Sequence, residues 1–278
     1  MSGPAAQVAL RQEPRPKYLA LMLIGAQRTL AYPRTVLLSL VTNTVWLALS
    51  YHLWRAVFEG TSRMGEFDWT RMRTYLLIAQ SANLLINASS SVHRMLRLIR
   101  TGDIAIELLR PYDILASQLA FSAGAALVEG ALGVLVATGL GLTLLDVLPA
   151  ASPAAAVFFL VSLVLGFLVR FLVGLITSLL CLWTKHWLGL HWMQATLVSV
   201  FSGALVPLDL YPDWLRSLSL VLPFQGIIHT PLSIYLGDLQ GLSLLQALGL
   251  QALWVVALWG LARALWSPGQ RALDIQGG

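Results

Sequence analysis

Charge is scarce in this sequence. Asp, Glu, Lys and Arg make up 11% of the 278 residues, against about 25% in an ordinary soluble domain. So few charged side chains cannot clothe a water-facing surface. With 57% apolar residues and a mean hydropathy of +0.74, the bulk solvent of the chain is lipid. Cysteine is reduced to Cys181, inside an apolar run, which excludes a disulfide framework or a thiolate metal site and leaves packing as its role. Lysine occurs only at Lys17 and Lys185, and neither follows a glycine. A Walker phosphate loop needs Gly-Lys before Ser or Thr, so the chain lacks that ATP site; if ATP drives it, another polypeptide hydrolyses it. His186 and His191 stand five residues apart, off one tight helical face, and there is no His-Glu-x-x-His pattern. No serine sits in a Gly-x-Ser-x-Gly elbow. The chain is expected to be no enzyme and to bind no metal or cofactor of its own.

Long apolar runs, by contrast, are abundant. A helix crossing a hydrocarbon layer of roughly 30 Å needs about 20 mostly apolar residues. That ruler gives six candidate spans: Thr35 to Trp54, Thr74 to Val92, Ile114 to Leu145, Ala154 to Trp183, Trp187 to Leu205 and Gly241 to Trp266. The expected fold class is an all-α, multi-pass integral membrane protein. Basic residues near span ends are retained in the cytoplasm. Twelve Lys and Arg, among them Arg28, Arg94, Arg97, Arg100, Arg110 and Arg263, fall on one side, against Arg63, Arg71, Arg73 and Arg216 on the other. Both termini are therefore expected in the cytoplasm, and the net charge of +5 reflects topology rather than a nucleic-acid partner. Residues 1–17, with three prolines, read as a disordered tail, and residues 18–34 as a short helix lying in the inner interface. Residues 35–266 hold the six spans, and 267–278 form a cytoplasmic tail. No secretory signal is expected, because the first long apolar run begins at Thr35 and is long enough to span.

Polarity inside these runs needs an explanation. Glu129 and Arg170 are the ionisable residues deep within long apolar stretches, each near mid-span in consecutive antiparallel helices. A charge at mid-bilayer costs about 2.5–3.5 kcal/mol on the lenient insertion scale, so both should face protein or water and could meet as an ion pair. That pair would lock two helices; alternatively, either residue belongs to a substrate or proton path. Gln80, Asn83 and Asn87 recur at spacings of three and four and share one face, with a weaker counterpart at Ser39, Asn43 and Ser50. Such faces look at another helix or line a translocation route.

The connections carry further signals. Residues 93–113 hold four arginines, with Gly102 placed to end one helix, Asp103 to cap the next and Pro111 to stop it. Ile104, Ile106, Leu108 and Leu109 give this short element more apolar surface than a solvated loop requires, which suits either an interfacial connector or a dock for a cytoplasmic partner. Residues 201–237 are apolar but broken by Pro207, Pro212, Pro223 and Pro231 into pieces too short to span. Such pieces are tolerated where they pack on protein or line a cavity, as a lid or re-entrant hairpin.

Taken together, these stretches resemble the permease subunits of type-2 ABC exporters. The resemblance rests on Ile99-Arg100-Thr101-Gly102-Asp103 leading to Leu109-Arg110-Pro111. It rests also on Phe201 to Asp209 followed by Pro212-Asp213-Trp214-Leu215, on Leu222-Pro223-Phe224-Gln225, and on Trp266-x-x-Gly269 with the closing Gln276-Gly277-Gly278. It covers nearly the whole chain and is almost silent about cargo. It implies a second permease subunit, identical or related, and two ATP-binding subunits that carry the ATP and Mg, in a bacterial inner membrane. By resemblance, Arg100, Gly102, Asp103, Ile104, Glu107, Arg110 and Pro111 would form the coupling element seated on the ATPase. Gly203, Pro207, Asp209, Pro212, Trp214 and Pro223 would belong to the outer gate, and the cargo would be an amphipathic, drug-like or lipid-like molecule. An ion-coupled secondary transporter using Glu129, and a non-transporting membrane scaffold, stay open as alternatives.

Overall fold

The computed structural model of the chain describes residues 17–86, 90–140, 147–184 and 187–276. The expectations for residues 1–16, Asn87, Lys185, His186, Gly277 and Gly278 fall outside them. The described residues form eleven α-helices: α1 (Lys17–Ala31), α2 (Pro33–Glu59), α3 (Trp69–Ile86), α4 (Ser90–Thr101), α5 (Ile104–Leu108), α6 (Ile114–Leu140), α7 (Pro153–Leu180), α8 (Trp187–Phe201), α9 (Asp213–Val221), α10 (His229–Leu236) and α11 (Gly241–Gln276). Short 3-10 turns at Leu208–Leu210 and Pro223–Gly226 punctuate the stretch between α8 and α10. The one extended pairing among the described residues is the Met64–Phe67 bridge that closes the loop from α2 to α3.

Four helices are long and apolar enough to cross a membrane: α2, residues Ile114–Val136 of α6, α7, and residues Gly241–Pro268 of α11. Two of the six runs read from the sequence fall short by this measure. In α3, Arg71 and Arg73 occupy the first turns and Gln80 and Asn83 follow, which lowers its apolarity. The 15 residues of α8 extend roughly 22 Å, because the chain turns at Gly203 with φ +84°. At the other extreme, α11 continues past Trp266 and Pro268, so residues 267–276 are helical.

The least apolar of the long helices lies deepest in the bundle. Met72, Tyr75, Leu76 and Leu77 of α3 are buried, and α3 packs on α2, α6, α7 and α10. In turn, α7 packs on α11, α10, α4 and α3. Consecutive helices α6 and α7 therefore have α3 and α4 between them and meet chiefly where Phe167 touches Ala125 and Ala126. The α2 side chains Leu37, Leu38, Leu49 and Leu53 point away from the bundle.

The first helix, α1, is docked along α6. The two run in the same direction: Lys17 meets Pro111 and Tyr18 meets Asp113 at one end, while Arg28 and Tyr32 share a cavity with Glu129 and Leu132 at the other. A bend at Tyr32, followed by Pro33 in the first turn of α2, joins α1 to α2.

The stretch from α9 to α10 folds back into the bundle. The Pro223–Gly226 turn rests on Gly166 of α7, where a Cβ would meet Gly226 O at 2.7 Å and Ile227 O at 3.1 Å. Gly166 lies thirteen residues into α7, roughly 20 Å from its start. Gln251 of α11 fixes this turn: its amide donates to Gly226 O (2.7 Å) and Ser162 O (3.2 Å) and accepts from Ser162 Oγ (2.9 Å). Tyr235 of α10 is back at the helix start, its hydroxyl on Leu148 O and its carbonyl on Ala151 N. Gly166→Val should push the turn off α7, because the atoms it meets are backbone. The expected loss is about 1–3 kcal/mol, read as a lower thermal midpoint of the purified protein, with a smaller fall in Gly166→Ala.

Candidate functional site

Residues 94–113 form a tight elbow at one end of the bundle. The left-handed φ of +78° at Gly102 turns the chain from α4 into α5. No atom lies within 4 Å of where a Cβ would sit, so conformation and not space demands glycine there. Asp103 does not cap α5 as expected. It already has helical angles, φ −61° and ψ −12°, with no side-chain cap bond, and its Oδ2 lies 2.6 Å from the Thr101 hydroxyl instead. The turn at Gly102 brings Asp103 into the helix too early to cap it.

The four apolar residues of this element do not act alike. Ile104 is buried, while Ile106 and Leu109 are 61% and 85% exposed. With Ile104 as anchor, α5 presents Ala105, Ile106 and Leu108 outward, and Leu109 follows as its C-terminal cap residue.

Behind that face lies the most heavily partnered carboxylate among the described residues. Glu107 is buried, with Oε1 2.8 Å from Arg94 Nη2 and 2.9 Å from the Tyr112 hydroxyl, and Oε2 3.6 Å from Arg110 Nε. Burial pushes the Tyr112 phenol above its ordinary range; the hydrogen bond from Arg110 opposes this and that to Glu107 adds to it. The phenol therefore stays protonated and donates to Glu107, while Arg110 Nη1 donates to the phenol at 3.1 Å. The Arg94 guanidinium also lies 4.9 Å from the centre of the Phe121 ring on α6.

Other helices are tied to the same elbow. Lys17 donates to Pro111 O (3.1 Å), and Arg263 of α11 pairs with Asp113 Oδ2 (2.5 Å). The second oxygen of Asp113 caps α6 by accepting from Ala116 N (2.8 Å). Arg100 lies over the Trp187 ring at 5.4 Å, reaching the start of α8. Tyr112, Asp113 and Phe121 escape sequence reasoning, although Glu107 as the one acid between Arg94 and Arg110 other than Asp103 hints at the clamp.

The gate residues read from the sequence lie on the stretch from α8 to α10, which runs from the opposite end down to the middle of α7. Pro207 leads into the 3-10 turn carrying Asp209, whose Oδ1 accepts from Arg216 Nη2 at 2.9 Å and whose Oδ2 lies 3.9 Å from His229 Nδ1. Pro212 precedes α9, its carbonyl accepting from Leu215 N and Arg216 N, and Trp214 is exposed. Pro223 opens the turn seated on Gly166. Tyr75 of α3 donates to Gly203 O at 2.7 Å, and a Cβ on Gly203 would meet that phenol oxygen at 2.8 Å. Arg71 and Asp238 pair nearby. Sequence reasoning missed Tyr75 and Gln251, which hold this stretch from α3 and α11.

Asn43, Gln80 and Asn83 are half-buried. No ion pair joins Glu129 to Arg170 among the described residues: Glu129 lines a cavity with residues of α1 and α2, while Arg170 sits on α7. Equal depth in consecutive helices does not bring two residues together when α3 and α4 stand between the helices.

Comparison with known proteins adds the family. A family model described as "ABC-2 family transporter protein" matches residues 44–277, more than four-fifths of the chain. The chain belongs to the ABC-2 transporter family. This ABC-2 permease is accordingly a multi-pass membrane transport subunit and not itself a catalyst, and its family works with separate ATP-binding subunits. The matched stretch includes the elbow and the Pro223–Gly226 turn, whereas α1 lies before it. No curated protein matches the ABC-2 permease.

Proposed function

We propose that this permease is one of two membrane subunits of an ATP-driven exporter in a bacterial inner membrane, powered by two ATP-binding subunits that carry the ATP and Mg. In this reading α3, with its extension α4, and α8 complete six crossings with both termini cytoplasmic. The elbow faces the cytoplasm, and residues 201–237 close the opposite side. The path for an amphipathic, drug-like or lipid-like cargo runs between the two permease subunits, with Asn43, Gln80 and Asn83 as polar positions on helices that border it.

One observation carries this reading: α5 exposes Ile106 and Leu109 to solvent while Glu107 behind them is buried against Arg94. An apolar knob on a rigid backing is suited to transmit force, whereas a loop covering nothing would hide those side chains or do without them. The alternative of a gradient-driven carrier lacks a need for such a knob, and family membership favours ATP-binding partners over an ion gradient.

The test is co-purification with an ATP-binding partner subunit. Ile106→Asp combined with Leu109→Asp should weaken capture of the partner at least about tenfold, since two buried apolar contacts of about 1.5–3 kcal/mol each would be lost. Membrane insertion and thermal midpoint should not change, because neither side chain packs within the bundle. Undiminished capture would remove the docking assignment.

A further inference from the structure

A side-opening cavity of about 320 Å³ lies between α1, α2, α3 and α6. It is mostly apolar, with Thr29, Thr35 and Ser39 supplying hydroxyls, and two charged side chains of opposite sign face it: Arg28 from α1 and Glu129 from α6. Among the described residues they form no ion pair with each other, and Glu129 has no hydrogen-bond partner. Arg28 lies over the Phe121 ring at 5.7 Å, and that ring forms part of the cavity wall. Half-buried Arg28 is thus held against α6 at the edge of the cavity.

Opposite charges in a low-dielectric setting attract strongly, and leaving them apart is costly unless something fills the gap. The volume lies in the range of small-ligand sites, and the lining has the usual form of such a site, apolar walls with a few convergent polar groups. A ligand matching both charges must itself carry both signs. Exposed Leu30 and Leu37 next to the lining residues offer an apolar surface on which hydrocarbon tails can lie.

We propose that this cavity binds the zwitterionic head of an amphipath, a primary ammonium donating to Glu129 and a phosphate accepting from Arg28, with the tails outside along α2. A quaternary ammonium cannot donate a hydrogen bond to Glu129, and a head without an ammonium leaves Glu129 unmatched. An aminophospholipid of the bilayer and a transported lipid of the same head chemistry both meet this description. Binding does not depend on the exporter reading; only transport of the bound molecule does.

The experiment uses the full chain in detergent with short-chain fluorescent phosphatidylethanolamine as probe, and phosphatidylcholine and phosphatidylglycerol as competitors. The ethanolamine lipid should bind with an affinity about tenfold above either competitor. Arg28→Gln and Glu129→Gln should each weaken binding by about tenfold, and Glu129→Gln should abolish the preference for ethanolamine over choline. A rise in thermal midpoint on adding the probe to wild type, absent in the variants at a basal midpoint no lower than that of wild type, separates loss of the site from loss of fold. Equal binding of all three lipids, or binding indifferent to Glu129→Gln, overturns the proposal. A second arm reconstitutes the chain with its ATP-binding subunits and follows the probe between leaflets. ATP-dependent movement marks the lipid as cargo and its absence marks a resident lipid; the binding result stands or falls without this arm.

Discussion

Glu107→Gln is expected to loosen the elbow and to lower partner-stimulated ATP hydrolysis and transport at least about tenfold, with insertion into the membrane unchanged. The reason is the pairing behind α5. Glu107 and Arg94 have side-chain exposures of 7% and 14%, so the Arg94 charge left behind has little water to turn to. Removing one partner of a buried pair costs about 3–5 kcal/mol, most of it the uncompensated charge. The glutamine keeps an oxygen for the Tyr112 hydroxyl, so the neutral hydrogen bond survives and the electrostatic loss dominates. Arg94 also loses the anchor that holds it over Phe121, the ring that Arg28 covers from α1. The remaining ties, Lys17 to Pro111 and Arg263 to Asp113, are on the exposed side and screened, and do not replace the clamp. Arg110→Gln serves as the contrast for rigidity: Arg110 is half-exposed and 3.6 Å from Glu107, so its loss should loosen the elbow little. Hydrogen exchange across residues 100–113 reads the difference directly. Exchange in Glu107→Gln as slow as in wild type would show that the pair does not hold the elbow.

The elbow and the broken stretch were legible because the chain marks them with residues whose backbone effects are local. Gly102 and Pro111 bound α5, and Pro207, Pro212 and Pro223 open three of the four short pieces between residues 201 and 237, while Pro231 lies inside the fourth, α10. Capping by Asp103 failed on a detail of angle, and the spacing of the four clustered apolar residues did not tell that Ile104 is the one that turns inward. Neighbourhood was not legible. Periodicity tells which face a residue occupies, not which helix that face meets, and a short loop suggested that Glu129 and Arg170 lie side by side. The structure puts Glu129 against α1 and α2, elements distant in sequence. Apolarity also misjudged α3, because a helix sheathed by others can carry arginines and amides and still be central. The docking of α1 rests on Gly25 and Gly124, two glycines with nothing in their surroundings to distinguish them from the others in this sequence.

Gly124→Ala should separate α1 from α6, and its sign decides whether α1 is docked at all. The added Cβ would fall 1.8 Å from Met22 O, 2.7 Å from Met22 C and 2.9 Å from Ala26 N, all backbone atoms of α1 that no rotamer change can move. The contact is reciprocal, since a Cβ on Gly25 would fall 2.1 Å from Phe121 O. Relief requires the helices to part by about 1 Å, which disrupts the close packing that holds helices together where lipid removes the hydrophobic drive between them. Overpacking of this kind costs about 1–3 kcal/mol. In a helix with no neighbour, the same change is favourable by up to about 1 kcal/mol, because alanine is the better helix former. Gly260 of α11 has no atom within 4 Å of its missing Cβ and supplies the control. Thermal midpoints of the two purified variants should therefore move in opposite directions, Gly124→Ala down and Gly260→Ala level or up. Because α1 carries Arg28, the same separation opens the cavity that faces Glu129, so Gly124→Ala should also lose the preference for an ethanolamine head. A rise in the midpoint of Gly124→Ala would place α1 away from α6 and dissolve that cavity.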